Sequence, residues 1–73
     1  MPMFKPKEVI GTIMAIKKFG IKVTGSNGED YGLPKNNTTE NLEEFNVVII
    51  KHISNRSITG CGYEAEFLRK ANL

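Results

Sequence analysis

The stretch Phe19-Gly20-Ile21-Lys22-Val23-Thr24-Gly25-Ser26-Asn27-Gly28-Glu29-Asp30-Tyr31-Gly32-Leu33 decides the fold. Phe19, Ile21 and Val23 alternate with Gly20, Lys22 and Thr24, and that period of two marks a half-buried strand. The segment Gly25-Ser26-Asn27-Gly28 contains Asn-Gly, the strongest short-range hairpin signal, because both residues tolerate positive φ. Glu29 to Leu33 reads as the return strand, with Tyr31 and Leu33 on one face and Pro34 ending it.

Upstream of this hairpin, Glu8 to Ile16 is rich in β-branched residues and reads as a strand, with Gly11 as a bend or bulge. Downstream, residues 35–39 form a polar loop. Thr38 or Thr39 can cap one short helical turn around residues 39–45, with Glu40, Glu43 and Glu44 favouring its start and Leu42 and Phe45 facing inward. Asn46 to Ile53 is the clearest strand, apolar on both sides over Val47–Ile50 and therefore central. Ser54-Asn55-Arg56-Ser57 is a turn. From Ile58 onward Cys61, Tyr63, Ala65 and Phe67 alternate with Gly60, Gly62, Glu64 and Glu66, which predicts a last strand. The good helix formers of Glu64–Ala71 predict that this strand hands over to a helical turn near Phe67.

Five short, bent strands in so few residues close into a small barrel, since closure removes exposed edges. The expected fold is therefore mainly β: a five-stranded barrel, either of the oligonucleotide-binding (OB) type or of the Src-homology-3 (SH3) type. A helical turn between the third and fourth strands leans toward the former. With 73 residues the chain makes a single domain, and residues 1–7, punctuated by Pro2 and Pro6, read as a flexible or loosely packed N-terminal segment.

Composition narrows the function. Cys61 is the only cysteine, which rules out an internal disulfide and a cysteine-rich zinc site and fits a reducing compartment, the cytoplasm by default. The N-terminus lacks the apolar stretch of a signal peptide, and the longest apolar run, Val47–Ile50, is far short of the roughly 20 residues that cross a bilayer. No membrane association is expected. Net charge is +2 but unevenly spread: residues 1–23 carry +4, residues 24–48 carry −4, and the remainder +2. Such a chain can present a basic and an acidic face, or an ordinary mixed surface. The excess of lysine over arginine and the abundance of isoleucine and asparagine fit an AT-rich coding sequence, such as that of a bacterium, phage or mobile element.

Catalysis has poor raw material. His52 is the only histidine and reads as lying on the outer face or at the end of its strand; no Ser/His/Asp or Cys/His spacing is present. Cys61, between Gly60 and Gly62, reads as a small buried thiol, and Glu64 and Glu66 as a solvated strand face. No glycine pattern joins a strand to a helix with phosphate-loop spacing. An enzyme, a cofactor and a metal site are therefore not expected.

The constellation that points to a ligand is Lys17-Lys18-Phe19-Gly20-Ile21-Lys22, with Tyr31 across the hairpin and Lys35 and Arg56 further on. Lysines on a curved strand meet phosphates, while an exposed aromatic offers a stacking surface worth about 1–3 kcal/mol per base. Core placement of Phe19 beside Ile21 and Val23 is the competing reading of the same alternation.

Gly11-Thr12-Ile13-Met14-Ala15-Ile16-Lys17-Lys18-Phe19-Gly20-Ile21-Lys22-Val23 with Gly32-Leu33 resembles the opening of the RNA-binding OB repeat first described in a ribosomal protein. Val47 to Thr59 is similar to the later part of that repeat, so the resemblance spans about residues 11–59. It implies RNA or single-stranded DNA binding on the face of the second and third strands. Phe19 would match the first family aromatic, Lys22 stands where the second lies, and Arg56 falls near the basic position of the last turn. Phe45-Asn46 stands where the family has Gly-Asp before the fourth strand, and Pro34 follows Gly-Leu where a histidine is expected.

The leading expectation is a non-catalytic module that binds RNA or single-stranded DNA with little sequence preference. Its site would comprise Lys17, Lys18, Lys22, Lys35 and Arg56 on phosphates, with Phe19 and Tyr31 stacking where exposed. One rival is a small protein-binding regulator or inhibitor, phage- or mobile-element-encoded, that docks on a host enzyme. Another is a self-associating structural subunit pairing through Asn46–Ile53 or Ile58–Phe67.

Overall fold

A computed structural model describes residues 8–57 and 59–71. Its five strands are β1 (Glu8–Lys17), β2 (Gly20–Gly25), β3 (Asp30–Leu33), β4 (Val47–Ser54) and β5 (Tyr63–Lys70). They close into a barrel in the order β1-β2-β3-β5-β4. β1 is long enough to serve two neighbours, β4 through Glu8–Thr12 and β2 through Gly11–Lys17. All pairs are antiparallel except β3 with β5, a short parallel contact of Tyr31 with Tyr63 and Gly32 with Glu64 that seals the barrel. The fold is thus the expected small, mainly β, five-stranded barrel. The segment expected to be flexible, residues 1–7, lies outside the described residues.

Strand alternation fills the interior. Ile13, Ile21, Val23, Tyr31, Leu33, Val48, Ile50 and Ala65 are buried together, with Leu42 from the β3–β4 connection and Val9, Tyr63 and Phe67 packed against them. β4 is central as expected, pairing with both β1 and β5. Its residue Ile49 is buried outside this core. The ion pair of Arg69 Nη2 with Glu8 Oε1, at 3.4 Å, joins β5 to β1 across the outside of β4.

Several local expectations are corrected. The bulge of β1 is not at Gly11 but at Met14, where Ile13 pairs with Val23 and Ala15 with Lys22. Gly11 is required for another reason: a Cβ there would lie 2.5 Å from Val23 Cγ1. The β2–β3 turn uses positive φ only at Gly28 (86°). Asn27 acts through its side chain, Oδ1 accepting from Glu29 N at 3.0 Å, so the connection is a β-turn followed by a left-handed glycine.

No helix forms around residues 39–45. The connection is instead a chain of turns, with i→i+3 bonds from Thr39 N to Asn36 O, Leu42 N to Thr39 O and Asn46 N to Glu43 O. Asn36 Oδ1 accepts from Thr38 N, and the buried Thr39 hydroxyl donates to Pro34 O, so side chains take the polar groups a helix would have bonded to itself. Leu42 faces inward as expected, but Phe45 does not: it is 70% exposed with φ 71°.

The last strand begins at Tyr63, later than the alternation from Ile58 predicts, because Gly60 (77°) and Gly62 (149°) adopt positive φ. Ile58 itself lies outside the described residues. β5 continues to Lys70 without becoming helical, since pairing with β4 from Glu64 to Lys70 outweighs helix propensity. That pairing also corrects the self-association edge expected at Asn46–Ile53, because β4 is bonded on both sides.

Candidate nucleic-acid interface

The β1–β2 connection is a two-residue turn, Lys18-Phe19, between Lys17 and Gly20, which pair with each other. A tight turn leaves its side chains no core to enter. Phe19 is therefore lifted off the inward alternation of Ile21 and Val23 and is 75% exposed. The Lys18 ammonium lies 5.6 Å from the Phe19 ring centroid, a cation–π contact of about 0.5–1 kcal/mol at an exposed site. Lys17 and Lys18 are exposed as well.

Lys22 projects from the outer face of β2, between its partners Ala15 on β1 and Gly32 on β3. Lys35, exposed, follows Leu33, the partner of Ile21, by two residues, and so leaves the β2–β3 ladder at the same end as the β1–β2 turn. Among the described residues, the only ion pair within 4.0 Å is that of Arg69 with Glu8. The lysines around Phe19 are thus not neutralised by described carboxylates, and their charge is available to an anionic ligand.

Two of the expected site residues do not join them. Tyr31 is 1% exposed and cannot stack on a base. It occupies an inward position of β3, its hydroxyl accepts from Asn27 Nδ2 at 3.1 Å, and its ring meets His52 and Tyr63 edge-on at 5.5 and 6.1 Å. His52 is correspondingly not on the outer face. It stacks on Tyr63 at 5.6 Å and is half-buried. Arg56 is exposed but lies in the β4–β5 connection, its carbonyl accepting from Glu64 N at 2.8 Å. Glu64 and Gly32, one strand apart, separate it from Lys22.

The outer face of β2 and β3 is partly occupied by the chain itself. A Cβ at Gly20 would come 2.7 Å from Thr59 Cβ, and one at Gly32 would overlap Thr59 Oγ1. The β4–β5 connection is therefore laid on this face, and the two glycines are what let it approach. Cys61, expected on an inward strand face, sits in that connection half-buried, with its amide donating to Thr59 Oγ1 at 3.2 Å.

Beyond Thr59, where β3 and β5 part, lies a groove of about 420 Å³ lined by Pro34, Ile53, Thr59, Glu64, Glu66 and Phe67. Glu64 accepts from Ser54 Oγ at 2.9 Å, and Glu66 is exposed. Two carboxylates make this groove a poor seat for phosphate. Among the described residues, no cluster of three or more His, Cys, Asp or Glu could hold a metal ion, and no helix is long and apolar enough to cross a membrane.

Sequence reasoning did not find Phe45 as a surface residue. No local signal marks it, because a bulky aromatic three residues after Leu42 reads as a core side chain and its type does not encode a left-handed backbone. No protein-family model matches the chain, and a search of curated proteins finds no match.

Proposed function

We propose that the protein is a non-catalytic module that binds single-stranded RNA or DNA, with low sequence preference, at the end of the barrel formed by the β1–β2 turn. The observation that carries this reading is the exposed Phe19 ring set among Lys17, Lys18, Lys22 and Lys35, with no described carboxylate pairing these lysines. A base stacks on Phe19 and the flanking phosphates meet the lysines, a combination that does not discriminate between bases. The closed five-stranded barrel supports the reading, because barrels of the OB type bind oligonucleotides on the face of their second and third strands and at the loop between their first two.

The contact differs from the sequence expectation in being smaller. Tyr31 supplies no stacking surface, and Thr59 covers part of the face between Lys22 and Arg56. Binding is accordingly centred on one aromatic and depends strongly on phosphate contacts.

Titration of isotopically labelled protein with a short oligouridine or oligothymidine, followed by amide chemical shifts, tests the site. Shifts confined to residues 17–22 and the neighbourhood of Lys35 are expected. Shifts confined to the acidic groove of Glu64, Glu66 and Phe67, or none at all, would refute the assignment.

A further inference from the structure

Among the described residues, the second half of β1 is bonded on one side only. On its β4 side the ladder covers Glu8–Thr12 and ends at Ile13, which receives Phe45 N on its carbonyl at 2.7 Å and donates to Asn46 O at 2.9 Å. From Met14 to Lys17, no backbone bond among the described residues reaches β1 from that side.

Phe45 marks where the ladder stops. Its φ of 71° takes the chain off the ladder, in a conformation that is strained for an L-residue. The ring so displayed is 70% exposed, and Met14 (44%) and Ile16 (39%) are exposed along the open edge beside it. A strained bulky residue, an unpaired strand edge and three exposed apolar side chains thus coincide.

The charges along this edge identify the occupant. Glu43 and Glu44, both exposed, precede Phe45 at the Ile13 end, and Lys17 and Lys18 stand exposed at the other. Related by a two-fold axis near Ala15–Ile16, two such edges would run antiparallel, each setting its glutamates against the other's lysines. Phe45 of each copy would then cover apolar surface of the other. An isologous interface requires this self-complementarity, and a strand edge gains its missing hydrogen bonds by the same docking. We propose that the protein self-associates as a two-fold dimer through the Met14–Lys17 edge of β1. The four-residue edge makes it a weak, concentration-dependent dimer.

Sedimentation or native mass measurement of the full chain over rising concentration tests this. The expected result is a shift from 8.1 kDa toward twice that mass, weakened by added salt. Lys17→Glu alone and Glu44→Lys alone should each hold the protein at 8.1 kDa. An equimolar mixture of the two variants should dimerise again, because every cross-pair then joins opposite charges. Phe45→Gly should abolish association in protein whose amide spectrum shows it folded, while leaving the oligonucleotide-induced shifts at Phe19 in place; Phe19→Ala should leave the mass behaviour unchanged.

A mass that stays at 8.1 kDa at the highest attainable concentration overturns the proposal and leaves the edge to a strand of a different protein. A dimer indifferent to the charge variants and to Phe45→Gly also overturns it, since association would then use another surface.

Discussion

Three residues show how backbone conformation, more than side-chain chemistry, sets this surface. Phe45 holds φ 71° with its ring in water, so nothing in the core repays its strain. Phe45→Gly should raise the stability of the dilute protein by about 1 kcal/mol in a urea titration, since glycine adopts this conformation freely. A loss of stability would mean that the ring supports the fold. Gly28 and Gly32 separate two roles that glycine plays here. A Cβ at Gly28 meets no atom within 4 Å, so Gly28→Ala should cost only the strain of positive φ, about 1 kcal/mol. At Gly32 φ is ordinary but a Cβ would run into Thr59, so Gly32→Val must displace the β4–β5 connection. It should cost about 1–3 kcal/mol, the range of overpacked sites, and change the amide shifts of residues 59–62. Denaturation curves of the two variants, compared side by side, check the order.

Single elements were unequally legible in the sequence. β4 was plain because a run of apolar β-branched residues is what a strand paired on both sides requires, and the β2–β3 hairpin because Asn-Gly marks a turn. The β3–β4 connection misled because threonine and glutamate fit a helix start, whereas Asn36 and Thr39 bond the backbone locally and leave turns. Its structural contribution is Leu42, buried with the barrel core. Leu42→Ala should destabilise the barrel by about 2–3 kcal/mol, measured by thermal or urea unfolding. A loss under about 0.5 kcal/mol, the level of an ordinary surface change, would show that the barrel does not need this residue. The start of β5 misled for the opposite reason: Gly60-Cys61-Gly62 continues the alternation of a strand, yet both of its glycines take positive φ and let the connection lie over β3. Of the candidate site, the cluster of Lys17, Lys18, Phe19 and Lys22 was legible because it is contiguous in the chain, but the turn that exposes Phe19 was not, since the alternation runs on through Phe19. The burial of Tyr31 was legible in its sharing a strand face with Leu33, but its amphipathic ring suits a core and a stacking surface alike.

At the scale of the whole molecule, a net charge of +2 carries no argument for nucleic-acid binding, and the proposed function rests on a local excess of cations. The barrel brings Lys17, Lys18, Lys22 and Lys35 to one end, while Glu43 and Glu44 stand in the connection that leads into β4. Four phosphate contacts on a single strand predict a log–log salt slope of about −3. Fluorescence anisotropy of a short labelled single-stranded RNA or DNA, titrated with protein at several salt concentrations, reads both the binding and this slope. Saturable binding with that negative slope is expected, weakened several-fold by Phe19→Ala and by Lys22→Ala in folded protein and unaffected by Arg56→Ala. No binding at low salt, or binding indifferent to Phe19, would contradict the proposed function.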